Sequence, residues 1–513
     1  MTAAAPGVAP QDGVRGPAGG GSAIVLRSRV RRGQQAPAPT NPLPMRNPLP
    51  AIVAIVLGVG LVVLPRTDPH RVVSRDEHVV PARVGGAGGR VTRVAVPAFV
   101  AASDDPELAS VAAEITDVFC ADIEFEGVFD LMPREAEPTP ASQTPPTLPP
   151  IPGIPPDAAP PANWRQLGAD AVTTGAVRRA GDAVIVEIRL FDAASGELAW
   201  GRGYSGPLSN PRLVAHVVAD EFVQAQAGLR GVFLSRLAFV SDRGGMRREL
   251  GGAMRRFKEV WVADYDGAGQ RPITTDRDLD LTPNWSPEGD RIAFTSFRRG
   301  FQEIAVVPLN GASVESPTRG LGKSWLPAWS PDGSRLAFTS NRDGNAEIYV
   351  VNRDGTDLRR LTRHWGIDTS PAWSPSGGEI AFTSDRTGSP QIWIMAADGT
   401  NARALTSEKY CDRPAWAPPP HDEVAYVSRT KTGFDIKVKS VVTGEERQLT
   451  HGEGFNESPA WSPNGRHIAF SSTRHGGQQI WMMTRNGENL RQVTSVGNNT
   501  MPAWSRPPLP RRR

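Results

Sequence analysis

Residues 368–406 read DTSPAWSPSGGEIAFTSDRTGSPQIWIMAADGTNARALT, and close variants of this stretch recur through the second half of the chain. The tryptophans that mark it are Trp285, Trp329, Trp373, Trp416, Trp461 and Trp504, spaced 44, 44, 43, 45 and 43 residues apart. A period in the low forties, with several short strands per unit, is the signature of propeller blades rather than helical solenoids. Four strands fall within the quoted unit, at PAWS, EIAFTS, QIWIMAA and ARALT, and the turns between them are written Ser-Pro-Ser-Gly and Ala-Asp-Gly. Apolar residues run almost unbroken through EIAF and QIWI, as expected of strands covered on both faces by neighbouring sheets.

Counting the pieces sets the number of blades and the manner of closure. The second-strand motif occurs six times, beginning at residues 236, 291, 335, 379, 423 and 467, whereas the Pro-x-Trp series starts one unit late and ends on a lone Trp504. Joining the orphan C-terminal strand to the orphan first unit gives an all-β six-bladed β-propeller over residues 231–506, closed by its C-terminal strand. Closure hides two sheet edges that would otherwise pair with another chain. One unit is too small to bury both of its faces, so the repeat exists because neighbours cover one another.

Ahead of the propeller, residues 91–230 read as an α/β domain. VTRVAVPAF is strand-like; DPELASVAAEITDVFCADIE is a helix capped by Asp104 or Asp105, with Leu108, Val111, Ile115, Val118 and Phe119 at helical spacing. GVFDLMP is a second strand, residues 163–204 read as a short helix and three strands, and SNPRLVAHVVADEFVQAQAG is a helix capped by Ser209 or Asn210 and ended by Gly228. An insertion at residues 133–161 carries 12 prolines, which predicts an extended polyproline II or disordered loop.

The N-terminus predicts export. Residues 1–48 form a Pro/Gly-rich basic tail expected to be disordered, and residues 49–65 contain an apolar run from Ala51 to Leu64 that follows arginines. That run is shorter than the roughly 20 residues a spanning helix needs, and so fits a signal peptide. No A-x-A cleavage site follows, which leaves an uncleaved inner-membrane anchor as the alternative. A start at Met45 would place Arg46 in a conventional short basic region. A basic tail, residues 507–513, closes the chain.

Composition narrows the function. The formal net charge is only +3 over 513 residues, which leaves no nucleic-acid footprint, and the expected partner is protein. The two cysteines, Cys120 and Cys411, fall in different domains and read as free thiols. No HExxH or GxSxG motif occurs, and the DYDG stretch at 264–267 lacks the alternating ligands and distal Glu of a calcium loop. Neither catalytic residues nor a metal or other cofactor is expected, and the reading is a monomeric binding platform.

The first strand of each blade is innermost, so the residues before each tryptophan open on one mouth of the channel. The candidate partner-binding residues are Asp280, Thr282, Lys323, Trp325, Leu326, Asp368, Thr369, Asp412, Arg413, Asn456, Glu457 and Thr500. This ring is varied, while the opposite mouth repeats Ser-Pro-x-Gly; Trp325 stands out as a tryptophan outside the repeat pattern and a natural interface anchor.

The order of these pieces resembles the TolB family of the Tol-Pal system: LGADAVTTGAV, the junction AGLRGVFLSRLAFVSD, the blade PAWSPDGSRLAFTSNRDGNAEIYVVNRDGTDLRRLT, and the ending on PAWS, together covering about residues 91–506. The resemblance implies a non-enzymatic periplasmic scaffold that binds the lipoprotein Pal at the channel mouth and TolA through the N-terminal region, supporting outer-membrane integrity and constriction. It maps Pal-binding positions onto Lys323, Leu326 and Thr369, where the residue types depart from the family pattern. The insertion and the missing cleavage site are further departures. Two other readings remain open: a membrane-anchored propeller sensing a cell-wall or small-molecule ligand, and a substrate-gating propeller of a peptidase complex.

Overall fold

The computed structural model describes residues 72–75, 91–133, 164–248, 254–310, 313–320 and 322–507. The segment predicted from sequence to be a signal peptide or anchor, both terminal tails beyond Pro507 and before Val72, and the proline-rich insertion after Pro133 lie outside the described residues. Among the described residues no helix is long and apolar enough to cross a membrane.

The α/β domain is a mixed sheet of seven strands with two helices packed against it. Strand order across the sheet is Val73–Arg75, Leu198–Pro207, Ala183–Asp192, Ala171–Ala180, Thr92–Ala95 and Phe129–Leu131, with Val100–Ala101 pairing parallel to Ala171–Ala180. Helix α1, Pro106–Glu126, starts where Asp105 accepts the Glu107 amide and stops at Gly127, whose φ of 68° suits a residue without Cβ. Its buried stripe runs Leu108, Val111, Ile115, Phe119 and then, at the same spacing, Asp122 and Glu126. Two carboxylates thus prolong an apolar face, and they do so where the helix reaches the propeller. Helix α2, Pro211–Ala227, is capped by Asn210 and ends at Gly228.

Gly175 shows why the VTTGAV strand is written as it is: a Cβ there would lie 2.3–2.6 Å from the Phe99 ring, so only glycine lets Phe99 cross the sheet. The short helix expected after Asn163 is instead a single turn at Trp164–Gly168, ended by Gly168 at φ 91°.

Six blades follow, and their innermost strands are Asn499–Trp504, Asp280–Trp285, Ser324–Trp329, Asp368–Trp373, Cys411–Trp416 and Asn456–Trp461. The first blade is closed by the last strand, which pairs antiparallel with Arg236–Ser241. The repeated tryptophan has a structural task. Nε1 of Trp285, Trp416 and Trp461 donates to the carbonyl of Ala503, Ala372 and Ala415 in the preceding blade at 3.1–3.2 Å, so these three indoles pin their blades to a neighbour, whereas Nε1 of Trp329 and Trp373 has no partner among the described residues and Trp504 bonds Ser235. A threonine near the fourth strand repeats as strictly: Thr274, Thr318, Thr362, Thr406, Thr450 and Thr494 each accept a third-strand amide through Oγ1 at 2.9–3.0 Å. That bond explains the LT ending of the repeat. The second blade departs from the expected four strands, its outer edge being reduced to a bridge between Val306 and Glu315.

Candidate functional site

Each innermost strand carries a bulge, and all six bulges sit at the same place. In the second blade Leu281 faces Thr295 but Asn284 faces Ala293, so one extra residue is squeezed inward. The squeezed positions are Thr282, Leu326, Ser370, Arg413, Ser458 and Met501, all non-glycine residues held at φ between 51° and 56°. Each precedes a proline, which narrows its backbone options further. Six such residues in the left-handed region form a strained ring, and strain of this kind collects at binding sites.

The ring and its prolines line a cavity of about 120 Å³ at the narrow end of the channel. A wider cavity of about 480 Å³ opens at the other end, lined by the Pro-Ala-Trp-Ser-Pro segments. Asp412 is the hub of the narrow mouth. Its Oδ1 accepts from Thr383 Oγ1 at 2.8 Å, Ser370 Oγ at 3.2 Å and the Arg413 amide at 2.7 Å, tying the fourth blade to the fifth. Arg413 Nη1 donates onward to Ser458 Oγ at 2.9 Å. Beside this hub the Tyr410 hydroxyl is pushed up to about 12 by burial and by the Asp412 charge.

The twelve residues singled out in the sequence divide by exposure. Asp280, Asp368, Asn456 and Thr500 are buried. Lys323 is exposed, and Thr282, Trp325, Leu326, Thr369, Asp412, Arg413 and Glu457 are half-buried at the mouth. The structure adds five apolar side chains on the same face: Trp365 at 75% exposure, Val496 at 62%, Ile367 and Phe455 at 51%, and Phe301 at 41%. Four of them sit on the loops that lead into innermost strands; Phe301 sits on the loop between second and third strands, which opens on the same side. Trp365 carries the same sequence signal as Trp325, a tryptophan outside the repeat, and is far more exposed.

Among the described residues no group of three or more His, Cys, Asp or Glu side chains could hold a metal ion. Cys411 is buried, which lifts its thiol to about 12 and makes it a packing residue. The DYDG stretch is a turn on the wide-mouth side, and its Tyr265 is fully buried against the α/β domain.

Residues 223–507 match the model of the TolB beta propeller domain, and residues 83–199 match that of the TolB amino-terminal domain. The chain belongs to the TolB family. Curated TolB relatives described as "Tol-Pal system protein TolB" include those of Cereibacter sphaeroides, 34% identical over 40% of this chain and 42% of the relative, and Geobacter sulfurreducens, 36% identical over 47% and 48%. The TolB of Ruegeria sp. is 31% identical over 50% of this chain and 52% of its own length, so the chain spans about half the length of the curated relatives it matches. The crystal structure of TolB from Acinetobacter baumannii superposes with a TM-score of 0.67 at 24% identity, covering 84% of this chain and 99% of that one, and so shares the TolB fold.

Proposed function

We propose that this chain is a non-enzymatic, exported scaffold of the Tol-Pal system that binds a Pal-like peptidoglycan-associated lipoprotein across the narrow mouth of its propeller. Lys323, Leu326 and Thr369 would sit at the centre of the contact, with Trp365 and Ile367 beside them. The observation that carries this reading is the coincidence of three features on one face: the strained ring, its non-repeating chemistry and the exposed apolar side chains. Scattered surface apolar residues mean little, whereas a cluster beside a built cavity is what partner sites look like. Contact of the N-terminal region with a TolA-like inner-membrane protein, a periplasmic location and a role in outer-membrane integrity during division belong to the same proposal. Support for them is family membership.

Calorimetry of the purified chain against the organism's own Pal-like domain tests the reading, with Leu326→Glu and Thr369→Arg as the variants. Binding at micromolar strength or tighter that both variants abolish is the expected result. Absence of binding by the wild-type chain at high concentration would refute it and favour a ligand-sensing propeller.

A further inference from the structure

The α/β domain meets the propeller on the wide-mouth side, away from the proposed partner face, and the contact is crowded with ionisable groups. Asp122 and Glu126 come from α1, and Arg212, His216, Asp220 and Glu221 from α2. Facing them are Arg236, Asp264, Tyr265 and Asp266 of the first blade and Arg466, His467 and Arg491 of the sixth. Asp122, Glu126, His216, Tyr265 and His467 are each no more than 3% exposed.

The bonds across the joint are specific. The Tyr265 hydroxyl donates to Asp122 Oδ1 at 2.5 Å, while His216 Nδ1 lies 2.8 Å from Asp122 Oδ2, so one carboxylate ties both helices to the propeller. Glu126 Oε1 lies 2.8 Å from Arg466 Nε and accepts from Asn464 Nδ2 at 3.2 Å, but its Oε2 is buried without a partner among the described residues. His467 Nε2 donates to the Phe125 carbonyl at 3.1 Å, with its ring stacked on Phe125 and its Nδ1 without a partner among the described residues. Arg212 pairs with Asp266. Asp220 accepts only the Phe233 amide, at 3.3 Å, and neither it nor Asp264 forms an ion pair among the described residues.

We propose that this joint is a proton-sensitive latch, closed in mildly acidic medium and loosened in alkaline medium. Glu221 is held by Arg202 and Tyr204 within the α/β domain, but Asp220 and Asp264 have no ion-pairing cation among the described residues, so a proton lost from either leaves buried negative charge poorly compensated. Burial pushes Glu126 up to about 7 against the pull of Arg466, and Asp220 likewise to about 7. A carboxyl that binds its proton more tightly when docked stabilises the docked state at low pH, and that contribution fades as pH rises through about 7. Burial lowers His216, but the hydrogen bond and charge of Asp122 raise it on balance, which acts in the same direction. His467 opposes them: burial holds it at about 4, so its contribution is complete above the ordinary histidine value and is lost as pH falls from there to about 4. Between pH 5.5 and 8.5 the carboxylates and His216 prevail.

Hydrogen exchange of the full chain at those two pH values, corrected for intrinsic exchange rates, tests the latch. Amides of residues 118–127 and 462–467 are expected to open at least tenfold more at pH 8.5, since one unit of pKa difference is a factor of ten in the opening constant. Residues 368–396 in the fourth blade should be unaffected, and Glu126→Gln with Asp220→Asn should cut the response below threefold. Equal opening of the joint at both pH values, equal loosening of the fourth blade, or a full tenfold response in the double variant would overturn the proposal. The wild-type comparison decides the matter by itself if the double variant does not fold.

Discussion

Arg386 Nη2 lies 2.8 Å from Asp368 Oδ2 in the fourth blade, while the equivalent Asp280 of the second blade has no such partner among the described residues, Arg298 turning instead to Asp276 at 3.3 Å. The same arginine position serves Asn456 through Arg474 at 3.1 Å and Asn499 through Arg243 at 3.0 Å. Asp280 is therefore a buried carboxyl in a place where two other blades use a neutral amide. Burial, then the neighbouring Asp276 charge, raises it to about 8.

Asp280 binds its proton more tightly folded than unfolded, so its contribution is complete below about 4 and is lost as pH climbs to about 8. Asp280→Asn should change stability little at pH 5 and raise it at pH 8 by on the order of 2 kcal/mol. Asp368→Ala should cost about 3 kcal/mol at pH 7, because Arg386 is left without its buried partner. Urea unfolding of both variants at the two pH values checks the pair of expectations; destabilisation by Asp280→Asn at pH 8 would contradict them.

Much of this architecture is legible in the sequence because it rests on repetition. The six tryptophans and the closure by Trp504 follow from period, and local chemistry narrows the helix caps to Asp104 or Asp105 and to Ser209 or Asn210, of which the structure uses Asp105 and Asn210. What escaped is what depends on three-dimensional comparison. Asp280, Asp368, Asn456 and Thr500 precede the tryptophans as the candidate ring requires and are buried, while the residues at the bulge, at positive φ, line the mouth. Tyr265 lies in a stretch that resembles a broken calcium loop and is instead the propeller's contact with Asp122, 143 residues away. No local pattern carries that information.

Gly175→Ala should lower stability by about 2–4 kcal/mol, since the new methyl must displace the Phe99 ring or bend the strand. Thermal unfolding should show the α/β domain affected. Affinity for the partner should stay within a factor of two, as the strand is remote from the channel mouth.

Trp365→Ala should leave stability within about 0.5 kcal/mol of wild type, because three-quarters of the side chain is already in solvent. Partner affinity should fall by about 2 kcal/mol, roughly thirtyfold, if the indole is an anchor of the interface. Unfolding curves and calorimetry on the same sample separate the two effects.

Thiol labelling distinguishes the cysteines. Cys411 is buried and its thiol is held at about 12, whereas Cys120 is half-buried. An aromatic disulfide reagent at pH 8 should label at most Cys120 in the folded chain and both residues in urea, as read by mass spectrometry.

The most direct test of the partner face is photo-crosslinking in living cells, with a benzophenone amino acid placed at Trp365 on the narrow-mouth side or at Val442, 81% exposed on the opposite face. The proposed function predicts an adduct with the outer-membrane lipoprotein from position 365 and none from position 442. An adduct from position 442 alone would contradict it.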